Sequence, residues 1–263
     1  MELRDKTVIV TGAGRGVGRA LAIAFGAEGA RVVCAARREA EIAETARLVD
    51  AAGGTGLAIT CDVTDREQTE ALAARTLAAY GQIHVLFNNA GSFSGLGGVW
   101  EVDPEVWWRD VEVNLRGSML CSRAVLPHMM DRGEGIIINM RGGEHIPGGS
   151  GYSSSKVAVS RLTELMAKEQ EREASGVVVI GMGPGFVRTE MTEKQLTDPQ
   201  GRKWLPSSQA AIDAGRDKPP EACAAAAVAL IRLACPGING RHDFGPHTDF
   251  AKLAVELGES AGS

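Results

Sequence analysis

Short apolar runs punctuate the chain at 7–11, 31–35, 56–61, 84–88, 135–140 and 177–182. Runs of this length, bounded by turn residues, predict buried strands. Helical spacing of apolar positions fills 17–28, 39–52, 65–80, 104–132, 152–174 and 221–234. In the first of these, Val17, Leu21, Ala24 and Phe25 make one stripe, and Gly29 supplies a stop. Apolar strands alternating with amphipathic helices predict an α/β fold, a doubly wound parallel sheet with helices on both faces. No repeat or low-complexity linker divides the chain, so 1–263 is expected to be a single domain. The stretch from about Thr189 to Pro220 is polar and reads as irregular, with Trp204 and Pro206 inside it. A long irregular stretch in a compact domain is usually functional or mobile.

Composition narrows the class. A chain of 263 residues with 44% apolar and 23% charged residues suits one large soluble domain. No apolar run approaches the length of a membrane span, and the opening Met-Glu-Leu-Arg-Asp-Lys lacks the apolar core of a signal peptide. A net charge of −5 argues against a broad nucleic-acid surface. Cys34, Cys61, Cys121, Cys223 and Cys235 are scattered and odd in number. They read as reduced residues of a cytoplasmic protein. No His/Cys cluster has metal-ligand spacing, so no metal is expected.

Two patterns carry candidate chemistry. The first strand ends in Thr11-Gly12-Ala13-Gly14-Arg15-Gly16-Val17-Gly18, and a helix follows. Strand, glycine loop and helix place a pyrophosphate on backbone N–H groups at a helix N-terminus, the Rossmann-like arrangement. The second pattern is Tyr152-Ser-Ser-Ser-Lys156. Residues four apart share a helix face. An ammonium held beside a phenol favours the phenolate and lowers its pKa, which makes Tyr152 usable as a general acid or base.

These motifs stand in order with Asp62-Val63, Asn88-Asn89-Ala90-Gly91, Asn114 and Pro184-Gly185-x-x-x-Thr189. Together they resemble the short-chain dehydrogenase/reductase family, in its shorter single-domain branch, from about Lys6 to about Val187. The resemblance implies Tyr152, Lys156 and Asn114 as the catalytic set. Asn114 would bend its helix and hold a water that relays protons to Lys156. It implies a cofactor site built from Gly12, Arg15, Gly16, Val17, Gly18, Arg37, Asp62, Val63, Asn88, Ala90, Gly91, Pro184, Gly185, Val187 and Thr189, with Tyr152 and Lys156 also touching the nucleotide. Asp62 would accept from the adenine amino group, and Thr189 would bond the nicotinamide carboxamide. Asn88 also reads as a structural amide at the end of its strand. The stretch at about 189–220 would be a substrate-covering lid. Family members are homodimers or homotetramers built on the long helices, which implies a homo-oligomer here.

Charge argues the cofactor. An acid at the end of the second strand would bond a ribose 2′-OH and repel a 2′-phosphate. Ala36 stands there, Arg37 follows it, and Arg15 lies in the glycine loop. Two guanidinium groups suit a phosphate, so NADP(H) is expected over NAD(H).

One departure matters. The fifth strand should run into a Ser pair whose second member bonds the substrate oxygen. Asn139-Met140 is followed instead by Arg141-Gly142, and Gly142 stands ten residues before Tyr152. Gly142→Ser would then be a route to the missing hydroxyl. Ser150 reads as a helix cap, and His145 as a solvated loop residue or a substitute acid. The sequence thus points to an NADP(H)-dependent oxidoreductase that interconverts a carbonyl and a secondary alcohol on a small organic substrate. Two alternatives share the scaffold: a nucleotide-binding protein with little catalysis, and an epimerase or lyase using the same Tyr.

Overall fold

The computed structural model describes residues 1–260; the last three residues of the expected 1–263 domain lie outside this range. Six parallel strands form one sheet: β1 (Thr7–Thr11), β2 (Arg31–Ala36), β3 (Thr55–Thr60), β4 (Val85–Asn88), β5 (Gly135–Met140) and β6 (Val177–Met182). Their spatial order is β3-β2-β1-β4-β5-β6. Val10 pairs with Cys34 on one side and Phe87 on the other, so β1 is flanked by β2 and β4. Strand order reverses between β1 and β4, which opens a crevice at their carboxyl ends.

Helices cover both faces. α1 (Gly16–Ala27), α2 (Glu39–Ala51), α10 (Pro220–Leu233) and α11 (Phe250–Ser260) lie on one side. There Leu21, Phe25, Ile42, Val49 and Ile231 pack against Val8, Val10 and Val32. On the other side α3 (Arg66–Tyr80), α5 (Gly117–Arg132) and α6 (Ser150–Arg172) cover Ile9, Val33, Leu86, Ile137 and Val179. Every residue of β1, β4, β5 and β6 is buried. A strand buried on both faces has no reason to alternate, which is why these strands read as continuous apolar runs.

Three expectations change. The helix expected over 104–132 is α4 (Pro104–Val111), a π-helical segment (Glu112–Arg116) and α5 in succession. The segment expected to be irregular holds three short helices, α7 (Glu190–Thr197), α8 (Pro199–Trp204) and α9 (Pro206–Asp213). Asp198 caps α8 through the N–H groups of Gln200 and Gly201, and Pro199 takes its first position. Proline is favoured there because that N–H would have no partner in the helix. The terminal helix α11 was not anticipated. Just before it, residues 241–244 run beside β6, with the Gly181 and Gly183 N–H groups donating to the Arg241 and Phe244 carbonyls at 2.8 Å. No helix is long and apolar enough to cross a membrane among the described residues.

Candidate active site

The crevice at the switch point is a cleft of about 740 Å³. Its nucleotide end is the turn between β1 and α1. Gly18 has no room for a side chain, because a Cβ there would overlap the Gly12 carbonyl and stand 2.5 Å from the Asn89 amide nitrogen. Helix and strand therefore meet backbone to backbone. α1 begins at Gly16 with no side-chain cap, which leaves its first N–H groups to a ligand or water. Thr11 Oγ1 accepts from the Asn89 and Ala90 N–H groups, both at 3.0 Å, and Asn89 Nδ2 donates to Thr11 O at 2.9 Å. These bonds lock the ends of β1 and β4 together.

Most of the expected cofactor residues line this cleft. The loop supplies Gly12, Arg15, Gly16, Val17 and Gly18, and the ends of β2 and β3 supply Arg37, Asp62 and Val63. Ala90 and Gly91 follow β4, and Pro184, Gly185, Val187 and Thr189 follow β6. Asn88 is the exception. It is buried and donates to Asn139 Oδ1 at 2.9 Å and Ser122 Oγ at 3.0 Å. Its amide joins β4 to β5 and does not reach the cleft wall, so its place in the cofactor set is corrected to a structural one. The reason is register: the last strand residue points into the core, and the cleft begins with Asn89.

The arginines do not stand alone. Arg15 pairs with Glu190 of α7. Arg37 lies 3.9 Å from Asp62, and Arg38 pairs with Glu41 at 2.6 Å. Asp62 accepts from Thr64 N and Oγ1 and from Arg109 at 3.2 Å. Burial raises its pKa, but the bonds from Thr64 and Arg109 win and hold it below the ordinary value. Thr189 bonds Thr192 in the first turn of α7. That is its capping role; the residue also lines the cleft.

At the other end Tyr152 and Lys156 share a face of α6, one turn apart. Lys156 Nζ lies 5.7 Å from the Tyr152 ring centroid and donates to Met140 O at 2.9 Å. The expected lowering of the phenol pKa is absent. Burial pushes Tyr152 up to about 12, Asp110 acts in the same direction, and the Gly143 backbone amide works against both. Burial pulls Lys156 down to about 8.

Asn114 sits in the π-helical segment, 1% exposed. Its Oδ1 accepts from Ser92 N at 2.8 Å, and its Nδ2 donates to Ser92 O and Ser155 Oγ at 2.9 Å. The helix passes from α to π geometry around this residue. The side chain, however, clamps the loop after β4 and α6 and is not on the cleft wall. It does border Gly91, beside Lys156 Nζ.

Several neighbours carried no signal in the sequence. Asp110, fully buried, accepts from Ser92 Oγ at 2.6 Å and from the Ser94 and Gly95 N–H groups at 2.9 Å. It pins the loop that presents Phe93. The Phe93 ring stacks on Tyr152 at 4.3 Å and 9°. Only the fold brings these positions together, since α4 follows that loop in an order no local pattern reveals. Ser150 does not cap α6: its Oγ accepts from Trp107 Nε1 at 3.0 Å. His145 is exposed and is not part of the cleft wall, which removes it as a substitute acid. Gly142→Ser is also not a simple repair, because a Cβ at 142 would overlap the Tyr152 hydroxyl and stand 2.9 Å from Cζ.

The short chain dehydrogenase family model matches residues 6–200. The chain belongs to the short-chain dehydrogenase family. Curated family members include a short chain dehydrogenase of Monascus purpureus, 38% identical over 207 residues, 75% of this chain and 70% of that one. A 3beta-hydroxysteroid dehydrogenase of Eggerthella lenta is 34% identical over 240 residues, 87% of each chain. Among solved structures, a variant of actinorhodin polyketide ketoreductase with NADPH shares 30% identity and a TM-score of 0.81, over 90% of this chain and 94% of that one. Levodione reductase superposes with a TM-score of 0.82 at 26% identity, over 91% and 95%. Short-chain dehydrogenases are oxidoreductases that use nicotinamide cofactors, and the bare glycine turn, the uncapped α1 and the cleft running on to Tyr152 fit such a dinucleotide.

Proposed function

We propose that the chain is an NADP(H)-dependent carbonyl reductase acting on a small organic substrate, with Tyr152 as its proton donor. The observation that carries this reading is one continuous cleft with Arg15 and Arg37 at one end and Tyr152 with Lys156 at the other. Solved with NADPH, the ketoreductase neighbour supports that cofactor.

When bound, the reduced nicotinamide supplies a hydride. The chain's own residues do the rest. Tyr152 holds the proton that goes to the substrate oxygen. Held above its ordinary value by burial, the phenol carries its proton at neutral pH. Lys156, 4% exposed, holds the end of β5 through Met140 O and faces the ribose side of the cleft. Asn114 and Asp110 fix the loop that carries Phe93 against the Tyr152 ring. α7 and the start of α9 close the far side as a lid, with Met191, Leu205 and Ser208 on the wall. Five unpaired cysteines suit a reducing, cytoplasmic setting.

The test is reduction of a panel of ketones with NADPH and NADH. Tyr152→Phe should remove nearly all turnover, at least about a hundredfold, while NADPH binding stays within a few-fold. Substantial turnover by Tyr152→Phe would put the proton source elsewhere. NADPH binding with no turnover of any ketone or alcohol would favour the second reading, a nucleotide-binding protein with little catalysis, which the absence of a hydroxyl at Gly142 keeps open.

A further inference from the structure

A polar side chain of α7 stands on the cleft wall without a partner. Met191, Thr192 and Gln195 all line the cleft. Residues three and four apart share a helix face, so Gln195 lies on the side of α7 that looks inward. Thr192 donates its hydroxyl to Val187 O at 2.7 Å. Gln195 is 7% exposed, yet its side-chain amide makes no hydrogen bond among the described residues. Its backbone is fixed: Gly201 of α8 packs on the Gln195 carbonyl, where a Cβ would overlap. Buried amides are normally hydrogen-bonded within the protein. One left open on a cleft wall costs the fold free energy that a ligand group can recover.

The surroundings say what kind of ligand that is. Phe93 and Leu205, 7% and 5% exposed, form the apolar wall with Ile146. Trp204, beside Leu205, packs on Gly148, and Phe93 packs on Gly149 and stacks on Tyr152. The start of α9 therefore faces the loop after β5 at the Tyr152 end. The guanidinium of that loop, Arg141, is bound to Glu144 at 2.6 Å and to His242 O. It is neutralised there and is not free for a substrate carboxylate. Lys156 is held by Met140 O.

We propose that Gln195 is the recognition residue of the lid, and that the substrate is an uncharged, mainly apolar ketone whose second oxygen, a hydroxyl or a carbonyl, bonds the Gln195 amide. The inference rests on the proposed ketone reduction. An amide offers both a donor and an acceptor, so it takes either function. The second oxygen anchors the substrate from the lid while the reacting carbonyl stays free for Tyr152. That contact supplies orientation which Gly142, lacking a hydroxyl, does not. A ketone without the second oxygen must leave the amide buried and unpaired. Sites built to hydrogen-bond a substrate reject such analogues more strongly than apolar pockets reject a changed methylene.

The probes are β-tetralone, its ring-hydroxylated forms and its ring-carboxylated forms. Calorimetry with protein saturated in NADP⁺, which has no hydride to give, reads affinity alone. The best hydroxylated ketone should bind about tenfold to a hundredfold more tightly than β-tetralone, and the carboxylated forms more weakly than β-tetralone. Gln195→Leu should remove the gain from the hydroxyl. It should also bind β-tetralone itself a few-fold more tightly, because no amide is left to desolvate. Damage to the fold would weaken both ligands, so this crossover identifies recognition. Gln195→Met, unbranched like glutamine, gives the same reading if the leucine variant folds poorly. Equal binding of the hydroxylated and parent ketones, or a preference that survives in both variants, overturns the inference. So does tightest binding by a carboxylated form. Turnover of β-tetralone with NADPH tests the reaction separately. A crossover in a protein that reduces none of these ketones supports Gln195 and overturns the proposed reaction. Reduction without any preference that depends on Gln195 does the reverse.

Discussion

Lys156 is 4% exposed, and its ammonium donates to one carbonyl, Met140 O at 2.9 Å. Burial disfavours the charged form and pulls the pKa from 10.5 to about 8. The folded value is thus below the unfolded one. Between them the unfolded chain binds more protons, so stability rises with pH across that window. The stabilising contribution is fully present above about 10.5 and is lost as pH falls through about 8. Lys156→Met, which cannot titrate, supplies the reference. Its stability relative to the native chain should be greatest at pH 7 and should fall by on the order of 3 kcal/mol as pH rises past the unfolded value. Urea melts of both proteins across that range measure the difference. A difference that stays flat with pH would mean that Lys156 keeps its charge in the folded chain. The residue thus stores cost in the fold that a bound ribose or a phenolate could relieve.

At the scale of elements, the sheet and its long helices were legible because two-sided burial and amphipathic periodicity write themselves into runs of residues. Strand limits differ from the expected ones by a residue or less at each end. The helices of 190–213 were not legible, since six to eight residues show too little of a 3.6-residue period. Motif spacing placed the glycine loop and Tyr152 with Lys156. It could not show which partner each side chain takes, so Asn88, Ser150 and the acids beside the arginines emerged only from the fold. Glu190 is the case with consequences. It ties α7 to Arg15 across the mouth of the cleft, where a cofactor phosphate would compete for the same guanidinium. Both side chains are about half exposed or more, so the pair is weak. Glu190→Gln should tighten NADPH binding by about two- to fivefold and NADH binding less. Arg37→Asp should reverse the preference, because it sets a carboxylate against the 2′-phosphate. Calorimetry with both nucleotides decides. Equal NADH and NADPH affinity in the native protein would remove the assignment of Arg15 and Arg37 to that phosphate.

The whole molecule leaves an apolar surface that its own chain does not cover. Met119 of α5 is 38% exposed, and Val157 and Leu165 of α6 are 47% and 43% exposed. These two helices lie together against one face of the sheet. Val157 and Leu165 are eight residues apart, which puts them about 80° apart around α6, within one broad helical face. α4 adds Val106 and Trp108 at 38% and 56%. Scattered apolar residues need no explanation, but several on the outward sides of adjacent long helices suit an interface between copies. α6 also carries Tyr152, Ser155 and Lys156, so association along it would stiffen the proton-donating end of the cleft. The chain is therefore expected to be a homodimer or homotetramer through α5 and α6. Sedimentation equilibrium should show a single species of two or four chains. Val157→Glu combined with Leu165→Glu should shift it to monomer by burying unpaired charge at the contact, with the thermal midpoint of the isolated chain little changed if those positions serve only the interface. A native chain that stays monomeric at every concentration, or a double variant that remains fully associated, would place the contact elsewhere or remove it.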